Sequence, residues 1–288
     1  VRPALPEPVT DADFARLRDF VYRRTGIPLA PARRSAIDRR LAERMAATDS
    51  RSFAAYFAHL RAGPGGEAEE LVNAITVNET YFFREAYQLR CLTAELMDRV
   101  VAGRPAGAPL RIWSLPCSTG EEPYSIAIWL LEHWASVDRH EIEIVGSDID
   151  TRALAAAQAG LYGARALTRL PPDLVARYFV REAAALGAGW RLIGPLRGSV
   201  RFAPCNLMDA AAMRAEGAFD VVFCRNVLIY FDDASRRVAA DHLYDCLRPG
   251  GFLCLGHSES MARISPRFRV RRFADAVVYQ RPPEGEDV

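Results

Sequence analysis

Lysine is missing from this chain. All 37 basic residues among its 288 are arginine, a bias that a GC-rich coding sequence accounts for. Its chemical consequence is firm: Schiff-base catalysis, pyridoxal phosphate anchoring and a P-loop lysine are excluded. Cysteine is scarce and scattered. The six (Cys91, Cys117, Cys205, Cys224, Cys246 and Cys254) form no Cys-x-x-Cys pair and have no histidine at zinc-ligand spacing. They read as reduced, buried, small apolar residues, and none lies beside an activating base. No two of the five histidines are placed to bind a metal, so none is expected. No apolar run approaches the roughly 20 residues of a membrane helix. The opening VRPALPEPVTDADF has no apolar core and reads as neither signal peptide nor anchor. A cytoplasmic protein without membrane insertion is expected. An excess of one charge is lacking too: the net is +1, which commits the chain neither to nucleic acid nor to a membrane surface.

What is present is a change of periodicity along the chain. Residues 11 to 62 read as helical, with Asp11 or Asp13 as N-cap ahead of Phe14, Leu17, Phe20 and Val21, and Gly26-Ile-Pro28 as a stop. A second helix carries Ile37, Leu41 and Met45 on one stripe. Arg33, Arg40 and Arg44 fall beside it within a narrow arc. Residues 1 to 62 hold twelve arginines against seven acids, an excess of five positive charges. Either this is a solvated helical face or the three arginines dock an acidic protein surface. Phe53, Tyr56, Phe57 and Leu60 mark a third helix, and the break at Gly63 to Gly66 precedes a fourth. From residue 109 short apolar strands alternate with helices, which predicts a parallel, doubly wound α/β sheet. The chain thus divides into a helical domain over 1–85, a linker helix and loop over 86–108, and an α/β domain over 109–288. A small, partly β insert interrupts the alternation at about 161–199.

In an open α/β sheet, ligands bind beyond the carboxyl ends of the strands. After the first strand comes STGEEPYS, with Glu121 and Glu122 opening a helix. Acids there are stabilised by the helix dipole, so capping explains them as well as contact with a cationic amine does. After the second strand comes Asp148, where a carboxylate can accept two ribose hydroxyl protons. No GxGxxG is present, and an acidic first turn repels a diphosphate. A ligand with adenosine, an ammonium and no phosphate fits better, and S-adenosylmethionine is such a ligand. Asn206 and Leu207 follow the third strand, either as turn residues or against an adenine. Asn78, Thr80 and Arg84 surround Tyr81-Phe82-Phe83, three aromatics that suit a core.

NETYFFRE, STGEEPYSIAI, SDID, FCRNVLIYF and GGFLCLGHSES, in this order and spacing, resemble the chemotaxis receptor methyltransferases, the CheR family. The likeness runs from about Asp13 to Gln280, and GEEPYS with CRNVLIYF is its specific part. Tyr81 stands where the family usually carries alanine. The resemblance implies a Rossmann-like class I methyltransferase sheet with a small all-α N-terminal domain and an insert. It implies that Asn78, Thr80, Arg84, Glu122, Asp148, Asn206, Leu207, Arg225 and Asn226 surround S-adenosylmethionine, and that Arg84 and Tyr230 stand near the transferred methyl. The implied substrate is a glutamate side chain in the cytoplasmic domain of a chemotaxis receptor. The implied product is S-adenosylhomocysteine, and a monomer with no nucleic-acid partner is expected. Such a carboxylate is ionised already, with a reference pKa of about 4.3, so no general base is required. Arg84 can orient it by a two-pronged contact and Tyr230 by one hydrogen bond. A methyltransferase of another substrate is the alternative, and a non-catalytic S-adenosylmethionine-binding module is a second. Against an amino-methylating DNA enzyme stands Arg225-Asn226-Val227 in place of a Pro-Pro-aromatic turn.

Overall fold

Four helices open the fold. In the computed structural model, which describes residues 9–63, 66–184 and 187–286, they follow the apolar spacing of the sequence. The first eight residues, and Pro64 and Gly65 of the expected break, lie outside the described residues. Helix α1 (Asp11–Thr25) starts at a capping box in which Thr10 and Asp13 satisfy each other's backbone amides, and it stops at Gly26, whose φ of 70° suits glycine. Helix α2 (Arg34–Ala47) buries Ile37, Leu41 and Met45, the stripe read from the sequence. Helix α3 (Phe53–Ala62), capped by Ser52, and α4 (Glu67–Ile75) close a core of their own around Leu17, Leu41, Tyr56 and Leu71.

Helix α5 (Ala86–Cys91) passes through one π turn, Leu92–Leu96, into α6 (Met97–Ala102). The α/β unit follows as β1 (Leu110–Ser114), α7 (Glu121–His133), β2 (Ile142–Asp148) and α8 (Thr151–Ala159). The insert comprises β3 (Leu161–Tyr162), α9 (Pro172–Tyr178), β4 (Phe179–Ala184), β5 (Gly187–Leu192) and α10 (Gly194–Gly198). Its strands form a separate antiparallel sheet in the order β3-β5-β4. The main sheet resumes with β6 (Val200–Pro204), α11 (Ala210–Ala215), β7 (Phe219–Cys224), α12 (Asp233–Cys246), β8 (Leu247–Leu255), β9 (Arg269–Arg272) and β10 (Val277–Gln280).

The main sheet runs β6-β2-β1-β7-β8-β10-β9. Its first five strands are parallel, as the alternation predicts, but β10 and β9 are antiparallel. Residues 273–276 are all that joins those two, too few for the crossover that a parallel pair needs. Every residue of β7 is buried, because helices cover both faces. Trp113 stacks on Phe219 with ring centroids 4.5 Å apart, and its indole N–H donates to Ser147 Oγ at 2.9 Å. The chain direction across the sheet reverses between β1 and β7, which places the crevice above their carboxyl ends. The N-terminal helices close over that edge. Tyr22 donates to Asp232 at 2.8 Å, and Asn73 exchanges hydrogen bonds with Thr151 at 3.0 and 3.2 Å. Among the described residues no helix is long and apolar enough to cross a membrane.

Candidate active site

A cleft enclosing about 1170 Å³, part of it open solvent, lies over the carboxyl ends of β1, β2 and β7. Its sheet side is built from Pro116 to Ser118, Glu122, Asp148, Ile149 and Arg225 to Val227. The loop of residues 76–84 and the turn after α1 supply the opposite wall.

Backbone geometry aims these side chains. Among the described residues five non-glycine residues have positive φ, and four of them (Phe83, Glu85, Ser118 and Asn226) line or flank the cleft. Such conformations cost about 1–3 kcal/mol each, so the surrounding packing must hold them. Around Arg84 it does. Phe82 is fully buried, edge-on to Tyr162 and Phe179, and its N–H donates to Ala166 O. Phe83 packs edge-on against Trp129, and its N–H donates to Ser125 Oγ at 3.0 Å. Two of the three consecutive aromatics are therefore core, while Tyr81 faces the cleft with the Arg84 guanidinium 5.9 Å from its ring centroid. Gly120, at φ 92°, sets the strand-to-helix turn, where a Cβ would stand 2.8 Å from that of Ala157.

Asp148 is buried and accepts backbone N–H groups on both oxygens, from Ser118 at 2.7 Å and Asp150 at 2.9 Å. Burial nevertheless pushes its carboxyl up to about 6. Asp150, which sequence reasoning missed, caps α8 with one oxygen and takes Thr76 Oγ1 at 2.7 Å and Asn78 Nδ2 at 2.6 Å on the other. It thereby points the Asn78 carbonyl toward Ser118 Oγ. The signal was there: an acid two residues past Asp148 and directly before a helix.

Of the two acids opening α7, Glu122 lines the cleft, whereas Glu121 is buried and accepts from Thr119 at 2.6 Å. Glu122 is bonded to Ser114 Oγ at 2.7 Å and Arg225 Nη1 at 2.6 Å. Burial raises its carboxyl against the pull of Arg225. Arg225 also lies 3.3 Å from Glu85 and donates to Arg84 O at 2.8 Å. Burial works to raise the Glu85 carboxyl, but Arg225, His257 and Tyr87 outweigh it and hold it down at about 2. His257 is spent there too, its ring Nδ1 2.9 Å from Glu85.

Asn78, Thr80, Arg84, Glu122, Asp148, Arg225, Asn226 and Tyr230 thus meet in one cleft. Asn206 and Leu207 do not line it. Asn206 donates to Arg24 O at 2.6 Å and so ties the end of β6 to α1, and Leu207 is buried. Conversely Thr25, Ile27 and Leu29 line the cleft, which only the packing of the N-terminal helices reveals. The arginine stripe is divided. Arg33 lines the cleft. Arg40 donates to Ala74 O. Arg44 is bound to Glu67 at 3.0 Å and Glu70 at 3.4 Å, with only 16% of its side chain exposed, so it is not free to meet a partner.

The sequence matches two family models, "CheR methyltransferase, SAM binding domain" over residues 78–277 and "CheR methyltransferase, all-alpha domain" over 12–76. The chain belongs to the CheR methyltransferase family. It is 48% identical over 96% of both chains to "Chemotaxis protein methyltransferase 2" of Vibrio cholerae, and 41% identical over 89% of both to the protein of that description from Pseudomonas aeruginosa. Among solved structures, the N-methyltransferase NodS of Bradyrhizobium japonicum in complex with S-adenosyl-L-homocysteine aligns with a TM-score of 0.39 and 15% identity, over 73% of this chain and 92% of that one. This CheR-family chain is an S-adenosylmethionine-dependent chemotaxis methyltransferase. Its cleft suits the cofactor: a buried carboxylate at Asp148, an acidic helix head at Glu122, and apolar walls from Ile27, Leu29, Val72 and Ile149.

Proposed function

We propose that the chain esterifies glutamate side chains in the cytoplasmic domain of a chemotaxis receptor, releasing S-adenosylhomocysteine, and that it works in the cytoplasm. The observation that carries this reading is the company of Arg84 and Tyr230 in a cleft whose lining contains no histidine. A glutamate carboxylate needs no base, because it is ionised at neutral pH. Bound S-adenosylmethionine supplies an electrophilic methyl, which a carboxylate oxygen takes as the C–S bond breaks and its electron pair stays on sulfur; no proton is released. Arg84, with Nη1 on the Glu79 carbonyl at 2.9 Å, keeps its other donors for orienting the carboxylate. Tyr230, 39% exposed, offers one hydrogen bond at the mouth. Asp148 would hold the ribose hydroxyls, with Asn78 and Thr80 beside it. Glu122 would face the ammonium, and Arg225 and Asn226 would close that end. Arg33, in the turn ahead of α2 and on the cleft lining, is the docking arginine we retain for an acidic receptor surface, together with Arg40 of α2.

The test is tritium transfer from labelled S-adenosylmethionine to a purified receptor cytoplasmic fragment, followed by alkali. Volatile labelled methanol marks a carboxyl ester. Label that is incorporated and survives alkali places the methyl on another group and overturns the reading.

A further inference from the structure

The GHSES motif contributes no residue to the cleft, yet it holds the loop that does. Glu259 accepts four backbone N–H groups. Its Oε2 takes Asn226 N and Gly256 N, each at 2.8 Å, and its Oε1 takes Val227 N at 2.9 Å and Leu228 N at 2.7 Å. Three of the four donors belong to consecutive residues after β7, where Asn226 has a left-handed φ of 60° and the chain turns through Leu228–Tyr230. A carboxylate can accept four hydrogen bonds, and a charged acceptor makes each of them stronger than a neutral one would. The far side of the knot leaves no room: a Cβ on Gly256 would stand 2.5 Å from Asn226 Nδ2 and 2.9 Å from Glu259 Oε2. The two segments touch there, so a side chain at 256 would have to displace the ends of Asn226 and Glu259.

We infer that Glu259 is a positioning residue for methyl transfer, fixing the Asn226–Tyr230 loop so that Tyr230 meets the acceptor carboxylate. It does not line the cleft and acts through the loop, which does. Glutamine has the same shape but keeps one acceptor oxygen and presents an NH2 donor to two N–H donors. It should loosen the loop without opening a cavity. Aspartate keeps the charge and both oxygens on a shorter stem.

This rests on the role proposed for Tyr230, and the experiment separates the two. Amide hydrogen exchange, thermal melting and methylation kinetics are compared for the full chain, Glu259→Gln, Glu259→Asp, Tyr230→Phe and the double variant Glu259→Gln/Tyr230→Phe. Exchange at Asn226, Val227, Leu228 and Gly256 is expected to speed up at least about tenfold in Glu259→Gln, while the amides of β1 and β2 stay protected. Its kcat is expected to fall about tenfold at saturating cofactor with little change in receptor KM, and by less than about twofold more once Tyr230 is already Phe. Glu259→Asp should fall between wild type and Glu259→Gln in both exchange and kcat. Unchanged exchange at those four amides, a loss of kcat that only follows the melted fraction, or equal losses in both backgrounds overturns the inference. If Tyr230→Phe alone leaves kcat intact, the role of Tyr230 fails and the exchange result decides for Glu259.

Discussion

Arg225 and Glu122 meet at 2.6 Å across the carboxyl edge of the sheet, one from the residue after β7 and the other from the first turn of α7. Only 3% and 14% of their side chains are exposed, and Glu85 approaches the same guanidinium from the opposite wall. The three charges therefore link segments that are far apart in sequence.

Replacing Arg225 with leucine leaves two buried carboxylates without their cation and should cost roughly 3–5 kcal/mol. In the parent chain Glu85 is held down at about 2, so its contribution is present above the ordinary carboxylate range and is lost as pH falls toward 2. Without Arg225 the folded-state pKa of Glu85 moves back up toward its unfolded value, held down only by His257 and Tyr87, so the contribution shrinks. Urea melts between pH 3 and 6 should show stability rising with pH less steeply in the variant, and equal slopes would show that Arg225 does not govern Glu85.

Asp148 titrates with a raised folded-state pKa, at about 6, so the ligand-free fold gains stability from it at low pH and loses that as pH rises through 6. Ribose hydroxyls are best accepted by the ionised form. Calorimetry with S-adenosylhomocysteine should give a plateau above pH 6 and, well below it, affinity falling by up to about tenfold per pH unit. Asp148→Asn should bind more weakly and lose the inflection. An inflection that persists in the variant would assign it to another group.

Tyr230→Phe should lower kcat with little change in S-adenosylhomocysteine affinity, since the hydroxyl is assigned to the acceptor side of the cleft. The contrary pattern, weaker binding with normal turnover, would move Tyr230 to the cofactor.

Arg44→Ala should lower stability by roughly 3 kcal/mol, because Glu67, which also accepts from Tyr56 at 2.7 Å, loses its cation in a buried place. Arg33→Glu should leave the melt nearly unchanged, slow receptor methylation at low salt and flatten its dependence on ionic strength. Melts and salt series on the two variants distinguish a structural arginine from a docking one. A normal salt response in Arg33→Glu would leave Arg33 to the cleft alone.

The sequence by itself determined the elements and most of the cleft. Apolar spacing located α1 to α4, because burying one stripe is what makes such segments helical, and it marked Ile37, Leu41 and Met45 as the buried face. Alternating strands and helices placed Glu122, Asp148 and Arg225 at carboxyl ends of neighbouring strands, because a right-handed crossover leaves few other arrangements. Tertiary structure decided what periodicity cannot encode, namely which charge meets which. Arg33, Arg40 and Arg44 fall on one arc of a helical wheel, yet Arg33 lies in the 3-10 turn ahead of α2 and lines the cleft, while α4 engages the other two, Arg40 through Ala74 O and Arg44 through Glu67. Asn206 sits where a ligand contact was expected and instead bonds to the end of α1. Glu259 reads as a polar residue after a strand until the fold brings four amides to it. Hydrogen bonds and ion pairs act over about 3 Å, and only the folded chain brings such distant residues that close.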